Sequence, residues 1–169
     1  MILEEWIESM TVKDHEYYLY RCMELARSAV NNGNMPFGAI LVSSNGKILL
    51  EQENIEITES NCTGHAETQL MANASRKYSK EFLWNCTLYT TVEPCAMCSG
   101  AIYWGNVGRV VFGLSEKDLL EITGDDEQNP TLDLPCREVF GQGQKNIEII
   151  GPIANMKRKI SEIYEEFFN

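Results

Sequence analysis

The chain has 169 residues, of which 44% are hydrophobic and 23% charged, and 14 Lys+Arg against 25 Asp+Glu give a formal net charge of −11. That length matches the ~100–200 residues of a typical domain, so one folded domain over 1–169 is expected and wholesale disorder is excluded. The acidic balance argues against a non-specific nucleic-acid binder, whose affinity comes from neutralising phosphates.

The segment Met1 to Glu8 has neither the cationic start nor the apolar stretch of a secretory signal. No run approaches the ~18 apolar residues of a membrane span. A cytoplasmic protein is expected. Cysteines stand at 22, 62, 86, 95, 98 and 136. Only Cys95 and Cys98 form a tight pair, which reads as a metal or redox site; the others read as packing residues.

In chain order, Tyr18, Cys22, Leu25 and Ala29 recur at helical spacing and predict a helix from Asp14 to Val30, ended by Asn31-Asn32-Gly33. Phe37 to Val42 and Lys47 to Glu51 read as a hairpin around Ser44-Asn45-Gly46. His65 to about Tyr78 is helical, and Cys86 to Thr90 is a short strand. Glu93-Pro94-Cys95 turns into a helix from Ala96 to about Trp104, with the proline suited to a first turn. Val107 to Phe112 is a buried strand, and Ser115 to Ile122 a short helix. Gly124 to Pro135 is an acidic loop, and Ile147 to Ile150 the last strand. An amphipathic helix over about 152–168 closes the chain. Alternation of helices with strands predicts a layered α/β domain around a mixed sheet.

The chemistry is concentrated in His65-Ala66-Glu67 and Pro94-Cys95-Ala96-Met97-Cys98. A histidine at one helix start and two cysteines at another meet if the helices lie side by side. Free N–H groups of a first helical turn favour thiolates. Two sulfurs and one imidazole suit Zn²⁺, and three protein ligands leave a fourth position for water, as catalytic sites do. Glu67 then sits where it can move protons without binding the metal. Taken singly, each residue has a plainer reading: His65 as a helix-start residue, Glu67 as a helix-dipole partner, Cys95 and Cys98 as a structural or redox pair. Taken together they favour one zinc ion per chain.

This H-x-E…P-C-x-x-C pattern resembles the cytidine deaminase superfamily, in the branch holding guanine, tRNA adenosine and fungal-type cytosine deaminases. The resemblance runs from about Asp14 to Ile150. It implies a three-layer α/β/α sandwich with a five-stranded mixed sheet, and a homodimer. It also implies substrate-binding roles. Met35-Pro36-Phe37-Gly38-Ala39 resembles guanine deaminases and would stack Phe37 on a planar base. Asn54, eleven residues before His65, matches the asparagine that holds the base, together with the backbone N–H of Ala66. Gly100-Ala101-Ile102-Tyr103-Trp104 resembles a helix whose tryptophan lines the pocket. Gly124-Asp125-Asp126 resembles a stretch in which one aspartate binds the guanine edge. Tyr164, Phe167 and Phe168 are candidates for an aromatic residue closing the pocket. Asn61-Cys62-Thr63-Gly64 departs from the usual Asp-Pro-Thr-Ala.

The resemblance implies hydrolytic deamination of a purine base or nucleoside, with guanine to xanthine foremost. The alternatives are a tRNA adenosine deaminase, a cytosine deaminase and a non-catalytic zinc-binding module.

Overall fold

The computed structural model describes residues 12–169; the reading of Met1 to Glu8 lies outside them. The first helix, α1, spans Val12–Asn31. It buries Leu19, Cys22, Met23, Ala26 and Ala29 along one side and ends at Gly33, whose φ of +90° breaks the helix. Strand β1, Gly38–Val42, is buried throughout. Gly38 is required here: a Cβ at this position would clash with the Cys22 carbonyl oxygen of α1.

The turn that follows is Ser43–Gly46, with Gly46 at φ +84° and a register shift between Leu41 and Val42. The hairpin therefore turns through a bulged form rather than a two-residue Asn-Gly loop. Strand β2 is Ile48–Glu53. Helix α2 is Ala66–Lys77, and α3 is Lys80–Trp84, capped by the Ser79 hydroxyl. Strand β3 is Thr87–Val92, α4 is Ala96–Gly105, and β4 is Arg109–Leu114. Helix α5, Glu116–Thr123, starts with a reciprocal Ser115–Asp118 cap. Helix α6 is Cys136–Gly141, β5 is Glu148–Ile150, and α7 is Ala154–Phe168.

The five strands are ordered β2-β1-β3-β4-β5. β1 pairs antiparallel with β2 and β3, while β3, β4 and β5 run parallel. Alternate strand residues feed two cores. On one face Ile40, Tyr89 and Val111 meet α1, α5 and α7; on the other Leu41, Leu88 and Val110 meet α2, α3, α4 and α6. This is the expected three-layer α/β/α sandwich. The short helices α3 and α6 are additions to the expected elements; at five and six residues they carry too little periodicity to be read. Among the described residues no helix is long and apolar enough to cross a membrane.

Candidate active site

Helices α2 and α4 lie side by side on one face of the sheet. His65 is the N-cap of α2 and Cys95 the N-cap of α4, both with extended backbone. Cys98 sits one turn into α4. The two helix starts thus present three ligand atoms to one point. His65 Nδ1 lies 3.5 Å from Cys95 Sγ and 3.6 Å from Cys98 Sγ. A tetrahedral zinc with bonds of ~2.3 Å to sulfur and ~2.05 Å to nitrogen separates those atoms by ~3.6 Å. The residues present therefore fit the ion in both donor chemistry and spacing, and His65, Cys95 and Cys98 form the candidate zinc site.

The surroundings hold the ligands in place. The Thr68 hydroxyl donates to Cys98 Sγ at 3.2 Å. The other ring nitrogen of His65, Nε2, faces a Glu56 carboxylate oxygen at 3.7 Å, an outer partner of the kind that orients metal-bound imidazoles. The Cys95 thiol is pushed down to about 4 by hydrogen bonds from Cys98 and His65. A ready thiolate at the α4 start follows. His65 is pushed up to about 9, chiefly by its hydrogen bond with Cys95.

Glu67 occupies the first turn of α2 and is buried. Its Oε1 accepts from the Thr90 hydroxyl at 2.6 Å, and its Oε2 lies 3.5 Å from Cys98 Sγ, beside the ligand cluster. Burial pushes its pKa up. A carboxyl that is held on one oxygen and easily protonated on the other is suited to proton transfer.

These groups open into a cavity of about 280 Å³. Its walls come from the chain before β1 (Met35, Phe37), from Glu56, from the metal loop (Val92, Glu93), from Met97 and Glu116, and from Gln128–Leu132 of the loop before α6. Phe37 is backed by the ring of Tyr164, 5.4 Å away.

Three acids of this cavity are not among the site residues expected from the sequence: Glu56, Glu93 and Glu116. Glu93 stands directly before Pro94, the one cue available. Its Oε1 accepts the Cys136 N–H at 2.9 Å and its Oε2 accepts the Glu116 N–H at 3.1 Å. One carboxylate thereby satisfies a first-turn N–H in each of α5 and α6 and ties both to the metal loop.

Other expected pocket residues lie elsewhere. Trp104 is 73% exposed on the outer side of α4 and does not line the cavity, because it lies two turns beyond the helix start that faces the metal. Asp125 and Asp126 lie outside the cavity wall; Asp126 Oδ1 is committed to the Gln128 N–H at 2.8 Å, which turns the loop so that Gln128 and its successors face inward. Asn54 is buried behind the wall, its Oδ1 accepting the Glu56 N–H at 3.0 Å. It shapes the turn that presents Glu56. Ala66 is fully buried at the first position of α2, where its N–H has no intrahelical acceptor. Tyr164 is also buried and donates to the Thr91 hydroxyl at 2.9 Å. Phe167 and Phe168 pair with each other, and neither lines the cavity. The single other histidine, His15, is buried in α1 and hydrogen-bonded to Tyr89.

Comparison with known proteins agrees with this geometry. A Schizosaccharomyces pombe protein described as a probable cytosine deaminase is 36% identical over 135 residues, covering 80% of this chain and 82% of its own. Guanine deaminase of Bacillus subtilis is 39% identical over 114 residues, covering 67% and 72%. A solved structure from work on A-to-I editing by tRNA:A34 deaminases shares the fold, with a TM-score of 0.68 at 24% identity, covering 88% of this chain and 99% of that one. The model of the cytidine and deoxycytidylate deaminase zinc-binding region matches residues 12–114, which span all three ligands and Glu67. The chain belongs to this family of zinc-dependent deaminases.

Proposed function

We propose that this chain hydrolytically deaminates a free nucleobase, converting guanine and water to xanthine and ammonia. The observation that carries the reading is the small cavity, closed by Phe37 and Gln128–Leu132, into which the ligand cluster and Glu67 open. At about 280 Å³ it lies at the lower edge of the ~300–1,000 Å³ range of ligand pockets, room for one base. A polynucleotide would also need a phosphate-neutralising surface, which a net charge of −11 opposes.

A bound zinc ion supplies Lewis acidity at the position its three protein ligands leave open, lowering the pKa of a water there to about 7. The rest falls to the chain. Phe37 gives a flat apolar face on which the ring stacks, and Tyr164 stiffens it from behind. Glu67 Oε2 takes the proton of the attacking water. It passes that proton to the ring nitrogen N3, then takes the second proton from the hydroxyl now on C2 and delivers it to the amine, so that the C2–N bond breaks, ammonia leaves and the C2 carbonyl of xanthine forms, while the Thr90 hydroxyl steadies Oε1. The wall of Gln128–Leu132 keeps bulk water from the reacting ring. Exposed Met97 and Trp104 on α4 are consistent with a homodimer contact.

The similarity to a probable cytosine deaminase keeps cytosine as the second reading. The test is ammonia release from the zinc-loaded protein with guanine, cytosine, guanosine and an adenosine-containing anticodon loop, with Glu67→Ala as control. Release from guanine that disappears in the variant is the expected result. Release confined to another substrate overturns the guanine assignment and leaves the deaminase chemistry standing. Zinc at one per chain without release from any substrate would revive the non-catalytic module.

A further inference from the structure

Glu116 is only 8% exposed, yet it lines the active-site cavity. Its backbone N–H is held by Glu93, but its carboxyl has no hydrogen-bonding or ion-pairing partner among the described residues. A buried carboxyl without a protein partner is costly, and one that faces a cavity is free to take a ligand partner. It stands at the start of α5, tied at 3.1 Å to Glu93 two residues before Cys95, and lines the same cavity as His65, Glu67, Cys95 and Cys98. Asp125 and Asp126 lie outside the wall, so neither supplies the acid that a base edge would meet.

The chemistry of the bases then discriminates. In cytosine and adenine the ring atoms beside the amine-bearing carbon are an unprotonated nitrogen and a carbon. In guanine that carbon is C2, flanked by N3 and by N1–H, and N1–H adjoins the C6 carbonyl. With C2 at the metal and N3 at Glu67, N1–H needs an acceptor close to the reacting centre. Resting on the guanine reading above, we propose that the Glu116 carboxyl accepts the N1–H of the substrate and so selects rings in which the amine-bearing carbon adjoins a lactam N–H. Burial, reinforced by the charges on Cys95 and Glu67, pushes Glu116 up to about 8. A protonated carboxyl still accepts N1–H and in addition donates to the C6 carbonyl, so the lactam edge gains two hydrogen bonds where a ring with an unprotonated nitrogen there gains one.

The test measures binding apart from turnover, in zinc-loaded Glu67→Ala protein, by calorimetric titration with guanine and with 2-aminopurine, which lacks the lactam. Adding Glu116→Leu should weaken guanine by about 10- to 100-fold, the effect of leaving a polar group unpaired, and weaken 2-aminopurine, which can accept only one hydrogen bond from the protonated carboxyl, by at least about threefold less. Adding Glu116→Gln should restore guanine to within about threefold, since its amide oxygen replaces the acceptor. Unchanged guanine binding in Glu116→Leu overturns the proposal, as does a parallel loss of both ligands, which marks a structural role. So does guanine binding that is absent whatever stands at 116. Zinc content and the unfolding midpoint establish that the variants are folded. If guanine binding depends on Glu116 but the unaltered protein releases no ammonia from guanine, the functional reading fails and this one survives. If ammonia is released and binding ignores Glu116, the reverse holds.

Discussion

The metal end of the pocket and its outer wall are built in opposite ways. His65, Glu67, Cys95 and Cys98 stand on the first turns of α2 and α4, and both helices are anchored on the sheet by Leu70, Met71 and Ile102. Each ligand's direction follows from regular backbone. The wall of Gln128–Leu132 has no regular structure. It is held by the Asp126 turn and, at its far end, by Glu93 reaching from the metal loop to α5 and α6. The candidate metal ligands thus stand on rigid elements and the outer cavity wall on a loop, the usual division in enzymes. Glu93 joins the two, so disturbance of the wall reaches the metal loop.

Breaking the rigid half should have the largest effect. Cys95→Ala or Cys98→Ala should remove stoichiometric zinc, measured by elemental analysis, and take ammonia release to background; chelation should do the same and lower the unfolding midpoint, because binding energy is folding energy. Glu67→Gln should keep the zinc and lower kcat by about 10²–10⁴-fold.

Cutting the tie between the halves comes next. Glu93→Ala leaves the buried N–H groups of Glu116 and Cys136 without their acceptor and should cost about 2–4 kcal/mol in urea unfolding. Glu93→Gln, which keeps one acceptor oxygen, should cost less. If the two variants unfold alike, the double-capping account is wrong.

Asp118→Ala removes the reciprocal cap of α5 and should cost about 1 kcal/mol. Burial pushes the Asp118 carboxyl up, but the hydrogen bonds from Lys157 and Ser115 outweigh it and leave its pKa below the ordinary value. A depressed carboxyl contributes stability above its unfolded pKa and loses it as pH falls through the folded one. The gap between the unaltered protein and Asp118→Ala should therefore be constant at neutral pH and close below about pH 4. The smallest effect belongs to Trp104→Ala. Its exposed ring should leave the unfolding free energy of the monomer within about 0.5 kcal/mol; a larger loss on dilution would mark a subunit contact.

The central chemistry was legible because it is local. His65 and Glu67 are two residues apart and Cys95 and Cys98 three, so helix geometry alone decides which way they point. The buried strand runs and the α1 and α7 periodicities were legible for the same reason. The outer wall of the cavity was not. Trp104 has the residue type of a pocket lining, but its place two turns along α4 turns it outward. Asp125 and Asp126 have the chemistry to bind a base, but an irregular loop has no period from which to read its inward side. Glu93, Glu116 and Cys136 meet across 23 and 43 residues, and nothing in their flanking residues encodes that meeting. The sequence by itself determined the candidate metal ligands, the acid set beside them and the layered fold, because repeating backbone geometry converts spacing into direction. Only the tertiary structure decided which acids line the cavity and which aromatics stay outside, because those positions depend on packing between segments that local rules do not connect.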